Sequence, residues 1–139
     1  MQFLHTMLRV KDLALALDFF INKLGLIEVK RQDYPAGKFT LVFLATKVGG
    51  PEIELTHNWG YEEEYSAGRN FGHLAFGVEN IYQTCEKLMQ AGVVINRPPR
   101  DGYMAFVKSP DNQSIELLQI GEKLLPQSPW TEMENIGSW

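Results

Sequence analysis

The chain has 139 residues, 45% of them apolar, enough for one ordinary domain or two very small ones around a real core. A net charge of −4 leaves no basic surface for nucleic acid or anionic lipid. No apolar run reaches the ~20 residues of a membrane span, the opening Met1-Gln2-Phe3-Leu4-His5 is too short and uncharged for a signal peptide, and a single cysteine, Cys85, precludes an internal disulfide. The expectation is a cytoplasmic protein without nucleic-acid or membrane partners.

Residues 4–10 mix apolar and polar side chains and read as a strand. Asp12 can cap a helix, because its carboxylate accepts from free amides in the first turn. Leu13, Leu17, Phe20 and Leu24 recur at helical spacing, and Gly25 suits the left-handed stop, which predicts a helix over 12–24. Strands are expected over 26–31, 39–45 and 53–56, separated by the turn chemistry of Asp33-Tyr34-Pro35-Ala36-Gly37 and Gly49-Gly50-Pro51. The order is βαβββ, and a polar, acidic linker follows over 58–68.

The pattern then repeats. Residues 71–78 read as a strand, Asn80 as the cap, and Ile81, Cys85, Leu88 and Met89 as a helix face ending at Gly92. Cys85 reads as a small core hydrophobe. Short strands are expected over 93–95, 104–108 and 114–119, with Pro98-Pro99-Arg100-Asp101-Gly102 as a turn. A second βαβββ module at a period of about 65 residues points to duplication rather than a solenoid. The fold class is therefore α+β, with modules over about 1–58 and 70–120 and a tail over 121–139. Trp130 and Trp139 favour a tail packed on its own domain or on a partner chain.

Superposing the modules pairs His5 with His73 and Ile53-Glu54-Leu55 with Ile115-Glu116-Leu117. Alone, a strand histidine is usually structural and a sheet-face glutamate usually solvated. Two histidines and two glutamates that match pairwise are better explained by one cation, since imidazole nitrogen and carboxylate oxygen suit Zn, Ni, Co, Mn or Fe(II). Period-2 alternation turns each Ile and Leu to the core and each Glu to the opposite face. His57 is out of phase with Glu54 and reads as exposed or supporting, not as a ligand.

These stretches, with Leu4-His5-Thr6-Met7-Leu8-Arg9-Val10, Asp18-Phe19-Phe20, Thr56-His57-Asn58-Trp59-Gly60, Phe71-Gly72-His73 and Ser109-Pro110-Asp111, resemble the glyoxalase I (lactoylglutathione lyase) family of the vicinal-oxygen-chelate superfamily. The likeness covers residues 4 to about 120. It implies paired βαβββ modules, dimeric with half-barrels closed across chains, and metal ligands His5, Glu54, His73 and Glu116. It implies one Ni or Zn per site, with Co also suited, and a glutathione hemithioacetal as substrate. Glu116 becomes the leading proton carrier, with Glu54 its counterpart. Arg9, Asn58, Arg69 and Arg97 become candidates to bind the substrate's carboxylates.

The likeness has departures. Arg100-Asp101-Gly102-Tyr103 shortens the Lys-Gly-Gly loop of many bacterial members, His57 replaces a tyrosine, and the Pro-Trp tail is unusual; thiol specificity is thereby left open. Alternatives in the same superfamily are an epimerase, an extradiol dioxygenase, a thiol transferase and a non-catalytic antibiotic-binding protein. The second glutamate argues against the dioxygenase, and the complete ligand set against the antibiotic binder. Fold alone does not separate them.

Overall fold

The computed structural model describes residues 1–66 and 68–139. They divide into two compact units, Met1–Ser66 and Ala67–Trp139. Among the described residues no helix is long and apolar enough to cross a membrane.

The first unit runs β1 (His5–Arg9), α1 (Leu13–Leu17), β2 (Ile27–Tyr34), β3 (Phe39–Ala45) and β4 (Glu52–Asn58). Its sheet has the order β1-β4-β3-β2, with β1 parallel to β4 and the remaining pairs antiparallel. Alternation along the strands does what the sequence predicts. Val42, Leu44, Ile53 and Leu55 are buried on one face, while Glu54 between them points the other way. The second unit repeats the plan with β5 (His73–Val78), α2 (Ile81–Gln90), β6 (Ile95–Arg97), β7 (Met104–Lys108) and β8 (Ser114–Gln119), in the order β5-β8-β7-β6. Here α2 lies against β6, β7 and β8. Ile81, Cys85 and Leu88 meet Ala105, Val107, Ile115 and Leu117 in the core, each large one worth about 1.5–3 kcal/mol. Burial pushes the Cys85 thiol up to about 12, as befits a residue that acts as a small hydrophobe.

Two elements differ from expectation. The first helix is capped by Asp12, whose Oδ1 accepts from the Leu15 amide at 3.0 Å, but from Asp18 to Lys23 it widens to π geometry. Leu24 N–H reaches back to the Phe19 carbonyl at 2.9 Å. The extra residue per turn lets the adjacent Phe19 and Phe20 both enter the core, edge to face with ring centres 5.2 Å apart. Strand β6 starts at Ile95 rather than at Val93. The Val93 amide instead donates to the Leu88 carbonyl at 2.9 Å and closes α2, so it is spent before the ladder begins.

Beyond β8 the chain stays on the second unit. Trp130 is buried and stacks on Tyr82, whose hydroxyl donates to the Leu125 carbonyl at 3.0 Å. The Arg100 guanidinium donates to the Met133 carbonyl and to Asn135 Oδ1, both at 2.8 Å. Asn96 and Ile136 are tied by the Asn96 side-chain amide on the Ile136 carbonyl at 2.9 Å and by the Ile136 amide on the Asn96 carbonyl at 2.8 Å.

Candidate metal centre

Each unit builds the same half-site from the same register. In the first, Met7 of β1 lies opposite Glu54 of β4, so His5, two residues back on the same face, lies beside that carboxylate. His5 Nε2 is 2.9 Å from Glu54 Oε2. In the second, Ala75 lies opposite Glu116 and His73 takes the place of His5. His73 Nε2 is 3.0 Å from Glu116 Oε2. The middle strands add an aromatic that sequence reading missed. Phe43 lies opposite Glu54 and meets the His5 ring edge to face, centres 5.7 Å apart. Phe106 lies opposite Glu116 and meets His73 the same way at 5.5 Å. Only strand register could have identified these two, because pairing across β3–β4 and β7–β8 is not written in local spacing.

The electrostatic setting also repeats. The imidazoles are 41% and 43% exposed, the carboxylates 14% and 13%. Each carboxylate is thus largely withdrawn from water beside one nitrogen donor, a costly arrangement that a cation would offset. The donors fit a divalent metal. Neighbouring ligands of a six-coordinate ion at about 2.1 Å stand about 3 Å apart, the N···O separation in both pairs. Among the described residues no group of three or more His, Cys, Asp or Glu side chains comes together; the four ligand-type residues stand as two matched pairs.

The remaining candidates lie at different distances from this chemistry. Arg9 follows His5 and Met7 on the same face of β1, and Asn58 follows Glu54 and Thr56 on the same face of β4. Asn58 Nδ2 donates to the Tyr65 hydroxyl at 3.2 Å, and Tyr65 stacks on Tyr61. Arg69 is exposed in the turn before β5. Arg97 lies opposite Phe106, but its guanidinium donates to the Met104 carbonyl and, at 3.1 Å, to Asp101. Burial raises the Asp101 carboxyl, yet Arg97 and the Met104 and Tyr103 amides outweigh it and hold the group below its ordinary value. His57 lies on the other face from Glu54, with Nδ1 3.4 Å from the Val10 carbonyl oxygen.

The model of the glyoxalase/bleomycin resistance protein/dioxygenase superfamily matches residues 2–117. A probable lactoylglutathione lyase of Synechocystis is 44% identical over 127 residues, covering 86% of this chain and 96% of that one. A lactoylglutathione lyase of Neisseria meningitidis is 41% identical over 126 residues, covering 86% and 91%. Among solved structures, the trypanothione-dependent glyoxalase I of Leishmania major superposes with a TM-score of 0.81 at 36% identity, covering 86% of each chain. The repeated βαβββ architecture and these relatives agree: the chain belongs to the glyoxalase/bleomycin resistance protein/dioxygenase superfamily, and within it to the lactoylglutathione lyases.

Proposed function

We propose that the chain isomerises the methylglyoxal–glutathione hemithioacetal to S-lactoylglutathione at a centre formed by His5, Glu54, His73 and Glu116. The observation that carries this reading is the duplicated His–Glu–Phe arrangement, identical in strand register in both units. Glyoxalase I is a metal-dependent family, and the two-nitrogen, two-carboxylate set suits Ni or Zn, with Co also possible. When bound, such an ion supplies Lewis-acid stabilisation of the negative charge that develops on the substrate oxygens.

The protein's own part is to hold the adduct and move one proton. Glu116 takes the proton from C1 and returns it to C2, while the hydroxyl proton of C1 ends on the C2 oxygen, so no atom is gained or lost overall. Its low exposure keeps water from quenching that transfer. Glu54 is its counterpart, and the near-identity of the half-sites makes it the residue to compare. Arg9 and Asn58, on the ligand-bearing face of the first unit, take a substrate carboxylate, with Arg69 a further cation at the mouth. Arg97 joins them only if its pair with Asp101 opens.

Two copies of the chain form each centre, His5 and Glu54 from one and His73 and Glu116 from the other. Supporting this, β2 is exposed along almost its whole length, Ile27 and Val29 included. A partner would cover that strand and its two exposed aliphatic side chains. The protein acts in the cytoplasm as a homodimer with a small-molecule substrate. The thiol carrier is the open variable, since the Leishmania relative is described as trypanothione-dependent. The test is formation of S-lactoylglutathione by protein stripped of metal and then reloaded. Equal rates with and without metal would sink the reading, and a comparison of glutathione with trypanothione settles the carrier.

A further inference from the structure

Trp139 stands where no residue of the repeated modules would place it. Its ring lies 6.3 Å, centre to centre, from Phe106, the ring that edges onto His73. Together with Phe71, these side chains line a cleft of about 450 Å³ in the second unit, with Lys108 at its rim. The corresponding cleft beside His5 is lined by Phe3, Leu4 and the Gly49-Gly50-Pro51 turn, without a tryptophan.

The chain that carries Trp139 is fastened to the loop that departs from the family pattern. Arg100 holds Met133 and Asn135. Gly102 accepts the Leu124 amide at 3.0 Å. It has φ +68°, and a Cβ there would collide with the Leu124 carbonyl. Asn96 grips Ile136, three residues before Trp139. The shortened loop and the unusual tail are thus one device, a strap with a tryptophan at its end. Trp139 remains 42% exposed, so part of its surface is open to a ligand.

We propose that Trp139 is a specificity-determining residue: with Phe106 it forms an aromatic wall against the carbon substituent of the 2-oxoaldehyde, and the strap anchored by Arg100 holds it there. This rests on the isomerase reading above. In that reading the substrate oxygens are held at the centre to which His73 and Glu116 contribute, so the carbon chain attached to them is the part placed to meet a ring adjoining His73. An aromatic wall favours aryl substituents over methyl, because stacked rings gain more than a methyl contact.

The test compares wild type, Trp139→Ala, Trp139→Phe and Arg100→Ala, each metal-loaded and checked for folding by thermal melting. Specificity is read as kcat/KM for the phenylglyoxal adduct divided by that for the methylglyoxal adduct. Trp139→Ala should lower this ratio about tenfold, Trp139→Phe should restore most of it, and Arg100→Ala should lower it by freeing the strap. Calorimetry gives a second readout. Trp139→Ala should weaken S-benzylglutathione about tenfold relative to glutathione. An unchanged ratio in both measurements overturns the wall, and an effect in Trp139→Ala without one in Arg100→Ala overturns the strap. If wild type turns over neither adduct, the isomerase reading fails, and calorimetry still decides the wall: a shift supports it, equal relative affinities overturn it.

Discussion

Glu116→Gln separates proton transfer from shape. Ile115 and Leu117 on either side are fully buried, and the side chain itself is only 13% exposed. A glutamine of the same length therefore opens no cavity and keeps one oxygen facing His73, now 3.0 Å from Glu116. What disappears is the basic oxygen proposed to take the C1 proton. General base catalysis contributes about 10²–10⁴ in rate, or about 3–6 kcal/mol at ~1.4 kcal/mol per decade. The assay is thioester formation from preformed hemithioacetal at saturating metal, with occupancy measured on the same sample. The expected outcome is a modest loss of metal affinity and a fall of about 10²–10⁴ in kcat. Glu54→Gln, from an almost identical environment, should lose metal affinity similarly and turnover less. A wild-type rate for Glu116→Gln at full occupancy would remove Glu116 as the base and hand that role to Glu54 or another group.

Three other perturbations probe other parts of the account. His5→Ala deletes a proposed ligand rather than the proposed base, so activity should track occupancy and partly recover at high added metal; an occupied but inactive variant would contradict this. Arg9→Ala should raise KM more than it lowers kcat, because it removes binding felt by ground and transition states alike; a pure kcat effect would place Arg9 in the chemistry. For Cys85, the folded pKa, pushed up to about 12, lies above the unfolded value, so the fold keeps its full stability below about pH 9 and loses some as pH rises toward 12. Cys85→Ala should flatten that alkaline loss in urea midpoints measured at pH 7, 9 and 10, and an unchanged slope would refute the assignment.

The sequence was most informative where one residue type repeats at one register. The boundaries of β3, β7 and β8 match the expected 39–45, 104–108 and 114–119, because alternating apolar residues there face the core of their own unit. The His–Glu pairing followed from the duplication, since each partner sits on a strand whose neighbours fix its face. Phe43 and Phe106 were invisible because their roles depend on which strands lie side by side. The π turn was hidden because Leu13, Leu17, Phe20 and Leu24 fit an α period that adjacent Phe19 and Phe20 override by both seeking the core. Arg97 reads in sequence as a candidate cation for a substrate carboxylate, and only the folded turn brings Asp101 onto it. The tail has no period at all; its order comes from Arg100, Asn96 and Tyr82, each at least 33 residues from its tail partner.

The central claim is that two matched pairs hold one ion. Anomalous diffraction at the metal edge, on crystals of the metal-loaded protein, tests it most directly. A single peak is expected, with His5, Glu54, His73 and Glu116 all at about 2.0–2.2 Å, the first two from one chain and the last two from its partner. A metal held by one His–Glu pair alone, or bound away from all four residues, would contradict it.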